Sequence, residues 1–567
     1  MSPLYGSPPP CAPQAELAIG VTAHTEAASR GLQIFVLITL YSLSNFLMLL
    51  NHGVFWDDWI WVHLDRGTLL NGCAQLGYPL LGYLHLALRH LGIEAYRGVT
   101  FVAFLVASVA VFGTLCRIEK LNDRQRLFLA LVFALFPANS SRIAICTVHS
   151  SIAYAVFFAG VWLFAEFTVR GTVRLRLSSL ALIALASYFV NSLLFFCILV
   201  PVFFVYVGPD HSSVRAVIAR LRRIPEFLIL PPAVFSVKLL SKPFGEYAGY
   251  NDISLRALAG SPRGIAVAFK WSFIREILHC LRLPFRSWTT FCVTILLVAI
   301  IGWLLRRVQA LAPGAAPERF NVRGYFFNLL VGASIFVLAV MPYLAVGKIP
   351  GVINWGSRHQ LLEPLAAAWL IVFGLDLPFG QRRVQAYLLT MLLAIFMLGN
   401  IDYLTQFQAD AYKQESLLCH FRSNPAIREG NSFVVDDQTH YLDANERTYA
   451  FYEYSGMFYL VFGRQTRYAT NLMAREPFAD VRQYLSPFYL LSEFHGSPPD
   501  KKIVIAGGPY GVDKRGLVRL MFDERRNPER YEREIWDTTR VTVAEYRLPD
   551  GRSWASGANA RDEHGTN

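Results

Sequence analysis

The sequence is dominated by apolar runs that reach, or nearly reach, the length needed to cross a lipid bilayer. A membrane-spanning helix needs about 20 mostly apolar residues. The candidate runs lie at about 32–51, 97–115, 127–137, 151–168, 177–192, 194–208, 224–240, 288–305, 325–345, 361–378 and 384–401. This pattern predicts an α-helical polytopic membrane protein with about 11 transmembrane helices.

The composition supports a membrane protein and excludes several other classes. Of the 567 residues, 54% are hydrophobic and only 17% are charged, whereas soluble proteins carry about 25% charged residues. A water-soluble enzyme of several domains is therefore excluded, as are disordered chains. The eight Cys residues are scattered without a CxxC pair, which excludes a zinc ribbon and gives no disulfide framework.

The formal net charge of +12 indicates membrane topology rather than nucleic-acid binding. The Arg residues occur in short clusters between apolar runs, as the positive-inside rule requires, and not along one soluble face. This distribution predicts a cytoplasmic N-terminus. No small-residue cleavage site follows the first apolar run, so that run is interpreted as a signal anchor.

The predicted membrane topology divides the chain into three units. These are a loose cytoplasmic tail at 1–31, a transmembrane domain at 32–402, and an extracytoplasmic C-terminal domain at 403–567. The transmembrane domain has two long outer loops, at 52–96 and 241–287. Each loop contains a stretch that is apolar at helical spacing, LLGYLHLALRHLG in the first and IAVAFKWSFIREILHCLRLPF in the second. Both are predicted to be helices lying in the membrane interface.

The C-terminal unit shows strand signals that alternate with helix-like stretches. The predicted strands are SFVVDD at 432–437, KKIVIAG at 501–507 and RVTVAEYRL at 540–548. A small α/β domain outside the membrane is therefore expected. The AGGPYG stretch at 506–511 lacks the spacing of a phosphate-binding loop and is interpreted as a tight turn.

Two adjacent carboxylates follow the first apolar run directly. Asp57 and Asp58 stand between Trp56 and Trp59 in the sequence FWDDWIW. Burial and mutual repulsion are expected to raise the pKa of at least one carboxyl group, which suits a general base for an acceptor hydroxyl. The flanking indoles are candidates for contact with the sugar or the acceptor. The alternative is an aromatic belt at the interface with two solvated Asp residues.

This arrangement resembles the glycosyltransferase C superfamily. Its members carry an acidic pair in the first outer loop, straight after the first transmembrane helix, followed by interfacial helices. The resemblance covers roughly residues 30–400 and implies a donor sugar linked to a polyprenyl phosphate or diphosphate. It implies that Asp57 and Asp58 are catalytic, with Asp57 as the base and Asp58 orienting the acceptor or holding Mg²⁺ or Mn²⁺. The pair is DD rather than DxD, which leaves metal dependence open.

A second group of candidate residues lies in a late outer loop, in the sequence WGSRHQ. Arg358 can grip a phosphate through two parallel hydrogen bonds, and His359 can donate another or protonate a leaving oxygen. Lys348 is a candidate helper in the same loop. Glu363 lies four residues after His359, on the same helical face, and is predicted to orient it. The alternative for Arg358 is a cation that snorkels to the interface.

Two further candidates fall in the turn before the run at 151–168. Arg142 is assigned to the donor phosphate and His149 to a supporting role, because both lie on the same predicted side of the membrane. The alternative is an interfacial histidine that is satisfied by its neighbours. In the C-terminal unit, Asp436 and Asp437 end a predicted strand and are interpreted as a cap or turn, with metal binding as the alternative.

The predicted function is that of an inverting membrane glycosyltransferase in the inner (cytoplasmic) membrane. It would transfer sugar from a polyprenyl-linked donor to a cell-surface glycan, lipid or protein on the outer face, as in cell-envelope polysaccharide biosynthesis. An O-antigen polymerase or ligase is an alternative, although its large late outer loop is absent here. A flippase or transporter of lipid-linked sugars is another, although no matched halves appear.

Overall fold

A computed structural model of the chain describes residues 13–207, 214–249, 251–311, 322–351, 354–375, 382–472, 485–510, 512 and 514–546. This described part is mostly helical and carries one four-stranded sheet towards its C-terminal end. Both features agree with the predicted combination of a helical membrane protein and a small α/β domain.

Six helices of the described chain are long and apolar enough to cross a membrane. They are Ala28–Leu50, Ile93–Leu115, Ile145–Arg170, Trp288–Val308, Gly324–Leu344 and Arg383–Ser423. Each coincides with one of the predicted apolar runs, so more than half of the predicted spans are supported by length and composition.

The other five predicted runs form shorter helices. The run at 127–137 becomes a helix of 13 residues, and the run at 361–378 becomes one of 12 residues. The run at 224–240 forms a helix of 16 residues with two internal prolines. Among the described residues, none of these helices is longer than the 17 residues of α8, short of the roughly 20 that a straight span needs; residues 208 and 376–378 of the runs lie outside the described residues. The total of 11 crossings is therefore not confirmed and stays a prediction.

The α-helices are numbered in chain order. The first twelve are α1 Pro13–Asn45, α2 Asp58–Trp61, α3 Arg66–Gln75, α4 Pro79–Leu91, α5 Ile93–Leu115, α6 Asp123–Leu135, α7 Val148–Arg170, α8 Val173–Phe189, α9 Leu193–Phe196, α10 Leu199–Val207, α11 Val214–Leu221 and α12 Pro225–Leu240. The remaining helices are α13 Leu255–Ala259, α14 Ser261–Ala268, α15 Glu276–Arg282, α16 Trp288–Leu311, α17 Val322–Leu344, α18 Glu363–Gly374, α19 Arg382–Ser423, α20 Pro425–Glu429, α21 Phe451–Phe462, α22 Lys514–Arg526 and α23 Pro528–Trp536. A π-helix at Phe269–Arg275 joins α14 to α15.

Two predictions about the outer segments can be compared with these bounds. The stretch LLGYLHLALRHLG forms α4, and the second amphipathic stretch forms α14, the π-helix and α15 in succession. The prediction of a loose tail over 1–31 is wrong in part, because α1 begins at Pro13. Residues 1–12 lie outside the described residues.

The C-terminal sheet contains β1 Ser432–Asp437, β2 Tyr468–Asn471, β3 Lys501–Gly507 and β4 Thr539–Glu545. Its strand order is β2-β1-β3-β4, with β1 parallel to both neighbours and β4 antiparallel to β3. The three predicted strands are confirmed as β1, β3 and β4, although residues 547–548 of the third lie outside the described residues. The short strand β2 has no apolar alternation and was not predicted.

Helix α19 joins the apolar helices to the C-terminal sheet without a break. It runs for 42 residues, straight through the predicted domain boundary between 402 and 403. Its C-terminal half buries Leu417 and Phe421 against Phe433 and Ile503 of the sheet. The boundary marks a change in composition, from apolar to mixed, and not an end of the helix.

The predicted first outer loop is packed tightly against the C-terminal unit through α2 and α21. A Cβ atom added at Gly456 of α21 would lie 2.7 Å from Trp59 Cβ and 2.8 Å from the Trp59 carbonyl oxygen. Gly456→Ala is therefore expected to lower the free energy of unfolding by about 1–3 kcal/mol through overpacking. Denaturant unfolding of the purified full chain measures this change. The control is Gly98→Ala, where the added Cβ meets nothing within 4 Å, and equal stability of the two variants would contradict the close packing.

Candidate functional site

Asp57 is the N-cap residue directly before the short helix α2 and is partly exposed. The residue before it, Trp56, has a φ of 53°, a left-handed conformation that is costly for a bulky residue. The Tyr452 hydroxyl hydrogen-bonds to the Asp57 carboxylate. Burial raises the pKa of Asp57 above its ordinary value, and the nearby Arg358 guanidinium and the Tyr452 hydrogen bond offset part of that rise.

Asp58 is fully buried and bound to the backbone of another loop. Its Oδ2 accepts a hydrogen bond from the Ile145 amide at 2.7 Å, and its Oδ1 accepts one from the Cys146 amide at 2.8 Å. Burial raises the pKa of Asp58 to about 6, opposed mainly by the Arg97 charge. Because both carboxylate oxygens are already used, Asp58 holds the first outer loop against the start of the helix at Ile145–Arg170.

The two predicted indole contacts have different surroundings. Trp56 stacks on Trp355, with ring centroids 5.2 Å apart and an interplanar angle of 29°. Trp59 is 2% exposed and belongs to the core shared with the C-terminal unit. The prediction that Trp59 contacts sugar is therefore wrong, because its ring is enclosed by protein. Trp56 is also buried, but its partner Trp355 is partly exposed.

The predicted late outer loop contains a 3-10 helix, Asn354–Gln360, which is hydrogen-bonded to the segment 139–141. The Ser141 amide donates to Ser357 Oγ at 2.9 Å, and the Asn139 amide donates to Gln360 Oε1 at 3.0 Å. The Arg358 guanidinium lies 4.1 Å from the centroid of the Trp355 ring. These contacts bring the two predicted groups together, since Trp355 stacks on Trp56 and the Arg358 charge acts on Asp57.

His359 lies deeper than Arg358, with its ring 4.9 Å from that of Tyr343. Burial lowers the pKa of His359 to about 3, and the Arg358 and Lys348 charges add to the effect. The imidazole is therefore neutral at physiological pH, able to donate one hydrogen bond and accept another. Its Nδ1 atom is buried without a hydrogen-bond partner within the described residues.

Two other predicted residues of this group make different contacts from those expected. Glu363 Oε1 is also buried without a partner among the residues that the structure describes, so no Nδ1–Oε1 bond orients His359 here. Lys348 hydrogen-bonds to the side chain of Asn251. Its charge acts on His359 from the edge of the site.

Arg142 and His149 belong to separate surroundings. Arg142 Nη2 donates to Asn45 Oδ1 at 2.6 Å and to Asn400 Oδ1 at 3.0 Å, beneath the Phe104 ring. Both bonds are donated by Nη2, and through them Arg142 ties three helical segments together; its assignment to the donor phosphate stays a prediction. His149 is held by the Cys146 carbonyl oxygen, 3.0 Å from its Nδ1.

The sequence did not identify the residues that support Asp57 from the C-terminal unit. Glu453 Oε2 accepts the Trp56 amide hydrogen at 3.1 Å, which holds the left-handed turn directly before Asp57. Arg447 donates to Glu453 at 2.6 Å and to Asp410 of α19 at 2.7 Å. Tyr452 and Glu453 lie in the run YAFYEYSG, whose sequence does not indicate which loop it contacts.

Neither Asp57 nor Asp58 has the surroundings of a metal ligand. Asp58 uses both oxygens on backbone amides, and Asp57 faces the Arg358 cation, which would repel a metal ion. In the C-terminal unit, ligand atoms of Asp437, His440 and Asp443 lie within 4.8 Å of one another. There the Lys413 ammonium group donates to both aspartates at 2.6 Å and already supplies the balancing positive charge.

Comparisons with known proteins give a distant likeness to solved structures. No protein-family model and no curated protein sequence matches the chain. The archaeal oligosaccharyltransferase AglB from Archaeoglobus fulgidus, in complex with an inhibitory peptide and a dolichol-phosphate, aligns over 83% of this chain and 69% of its own. The identity is 14% and the TM-score 0.37. The Archaeoglobus fulgidus oligosaccharyltransferase tethered to an acceptor peptide gives 15% identity over 83% and 68% of the two chains, with the same TM-score. Because the identity and the TM-score are this low, the function of this chain has to be inferred from its own residues.

Proposed function

We propose that this protein is a membrane glycosyltransferase that moves a sugar from a polyprenyl phosphate or diphosphate to an acceptor hydroxyl. The observation that carries the proposal is that the Arg358 charge acts on the Asp57 carboxylate, across the stacked rings of Trp56 and Trp355. A partly exposed carboxylate and a guanidinium, from loops far apart in the sequence, act on each other beside stacked indoles. Both loops lie at the ends of long apolar helices, where a lipid-linked phosphate would place its head group.

The proposed chemistry assigns a separate role to each side chain. Asp57 accepts the proton of the acceptor hydroxyl, and its raised pKa makes it a stronger base than an ordinary aspartate. Arg358 neutralises the phosphate oxygen that carries charge when the bond to the sugar breaks. Attack from the side opposite the phosphate inverts the anomeric centre. Tyr452 fixes the orientation of the Asp57 carboxylate, and no step requires a metal ion.

The proposed orientation of the chain in the membrane determines on which side the site lies and which acceptors it can reach. With the N-terminus in the cytoplasm, α2, the Asn354–Gln360 helix and the C-terminal unit would lie outside the inner membrane. The acceptor would then be a surface glycan, lipid or protein. Polyprenyl-linked sugars are available on that side, where nucleotide sugars are scarce.

The proposal is tested by mass spectrometry of surface glycans and lipid-linked sugars in the source cells. Four strains are compared at equal expression: wild type, a deletion, Asp57→Asn and Asp65→Asn. Asp65 is the matched control, an acid of the same outer loop whose carboxylate caps α3 through the Gly67 and Thr68 amides. We expect one sugar to disappear from a glycan in the deletion and in Asp57→Asn, while its lipid-linked donor accumulates. Unchanged glycans in Asp57→Asn would exclude Asp57 as the base.

A further inference from the structure

The interfacial segment that contains the π-helix and α15 presents an exposed face with an unusual mixture of side chains. This face encloses a cleft of about 420 Å³, which is lined by Lys270, Trp271, Ile274, Arg275, Leu278, His279 and Arg282. These residues form two rows at a spacing of four, so that they are neighbours on one side of the helix. The apolar members Trp271, Ile274 and Leu278 are 38%, 44% and 46% exposed. The cleft therefore combines cations with open apolar surface.

The opposite face of the same segment is fixed on α19. The Tyr403 hydroxyl donates to Glu276 Oε1 at 2.8 Å. The helices are packed closely here, because a Cβ atom added at Gly399 would lie 2.6 Å from Cys280 Sγ. Both Glu276 and Cys280 are fully buried. Since these contacts hold the buried side, the cleft is presented outward on a firm support.

The contacts with α19 also indicate the depth of the cleft in the membrane. His279 of the cleft lies 3.7 Å from Asp402, which directly follows the apolar run 384–401 of α19. On the other side, Trp288 begins the membrane-spanning helix α16. Trp288 and the nearby Phe285 are largely exposed, as aromatic side chains at a membrane interface are. The cleft therefore lies at the level of lipid head groups, on the side of the C-terminal unit.

The charges of the cleft have one sign. Lys270, Arg275 and Arg282 are exposed, and no carboxylate lines the cleft beside them. Within the described chain, none of the three forms an ion pair. Arg275 is held instead over the Trp271 ring, 4.4 Å from its centroid. Arginine binds phosphate through two parallel hydrogen bonds, so the cleft is complementary to an anionic phosphate that carries a hydrocarbon chain.

We propose that this cleft binds one anionic phospholipid of the leaflet around it. Arg275, in the middle of the cleft, binds the phosphate, and the charges of Lys270 and Arg282 attract it from the two ends. An acyl chain lies against Ile274 and Leu278. The lipid anchors the interfacial segment, and with it α19, at a fixed depth in the bilayer. This inference goes beyond the proposed function and does not depend on it.

Native mass spectrometry of the purified full chain in mild detergent measures which lipids stay bound. Three probes are titrated: dioleoyl phosphatidylglycerol, dioleoyl phosphatidylcholine with the same chains but no net charge, and glycerophosphoglycerol, the head group without chains. We expect one phosphatidylglycerol to bind at least about tenfold more tightly than phosphatidylcholine, and glycerophosphoglycerol not to bind at the same concentration. Equal affinities of the two phospholipids would overturn the proposal. Equally tight binding of glycerophosphoglycerol would also overturn it, because the occupant would then be a soluble phosphate ester.

Variants assign the bound lipid to the cleft. Arg275→Gln and Arg282→Gln are each expected to weaken phosphatidylglycerol binding about tenfold, because each removes a charged partner of the phosphate. The control is Arg263→Gln, which removes an exposed arginine of the same interfacial segment outside the cleft. All three side chains are exposed, so the variants should keep the wild-type unfolding midpoint. If Arg263→Gln weakens binding as much as Arg275→Gln, general surface charge attracts the lipid and the cleft is not a site.

A competition experiment distinguishes this cleft from the proposed donor site. Undecaprenyl phosphate is added to the wild-type chain that already carries phosphatidylglycerol. We expect the phospholipid to stay bound, because the donor phosphate is assigned to Arg358 in another loop. If undecaprenyl phosphate displaces it, the cleft accepts the polyprenyl lipid and the phospholipid proposal is wrong. The glycan experiment with Asp57→Asn tests the proposed function separately, and its failure would leave the lipid-binding result unchanged.

Discussion

Replacing Arg447 by methionine is expected to lower the free energy of unfolding by about 3–5 kcal/mol, because it removes the cation from a fully enclosed ion-pair network. Arg447 is 1% exposed and holds both Asp410 and Glu453. Without it, two buried carboxylates lose their main partner. Methionine keeps much of the side-chain volume, so the loss reports the missing charge rather than a cavity.

The measurement is denaturant unfolding of the purified full chain, followed by tryptophan fluorescence. Arg540→Met is the matched control, because Arg540 is exposed on β4 and its loss should change the stability by no more than about 0.5 kcal/mol. Arg447→Met should also lose transfer activity, since Glu453 would no longer be held against the Trp56 amide. Equal midpoints for the two variants would show that the network adds nothing to stability.

Replacing Arg358 by methionine is expected to lower kcat/KM for the lipid-linked donor by about 10²–10³-fold. A group that stabilises charge developing in the transition state contributes roughly this much in other enzymes. Arg358 also stacks over Trp355, so both its charge and its planar shape are used. Lysine restores only the charge, and Arg358→Lys should therefore recover part of the loss.

Donor turnover in proteoliposomes measures this effect, with kcat and KM determined separately. Arg263→Met is the control, since Arg263 is an exposed arginine on α14 outside the site. If Arg358→Met turns over the donor as fast as Arg263→Met, Arg358 does not bind the phosphate. In that case its role is limited to holding the Trp355 ring.

Candidate residues of the site could be predicted from the sequence of each loop, but the contact between the loops could not. Asp57 and Arg358 each stand in a short motif whose chemistry can be recognised locally, in FWDDWIW and WGSRHQ. Their encounter could not be derived, because it depends on hydrogen bonds such as Ser141 to Ser357 between loops distant in sequence. Tyr452 was missed for the same reason, since nothing in an aromatic run indicates which loop it faces.

Local patterns failed where tertiary packing decides burial. Trp59 resembles an interfacial indole in the sequence, but α21 covers it, and Gly456 leaves the space for that contact. Asp58 resembles a second catalytic acid, but it accepts two backbone hydrogen bonds instead. Arg142 resembles a phosphate ligand, but its Nη2 atom donates to the Asn45 and Asn400 side chains.

The uninterrupted course of α19 has a consequence for how this molecule can be divided. At 1.5 Å per residue, its 42 residues form a stiff rod about 63 Å long. Beyond residue 403 the rod carries Gln414, whose Oε1 accepts a hydrogen bond from the Val54 amide at 3.0 Å, as Glu453 Oε2 accepts one from the Trp56 amide at 3.1 Å. A cut or graft near residue 403 would interrupt the rod and separate both acceptors from the loop that carries Asp57, so recombination could not exchange the C-terminal unit as an independent module. The membrane part and the C-terminal unit must be inherited together.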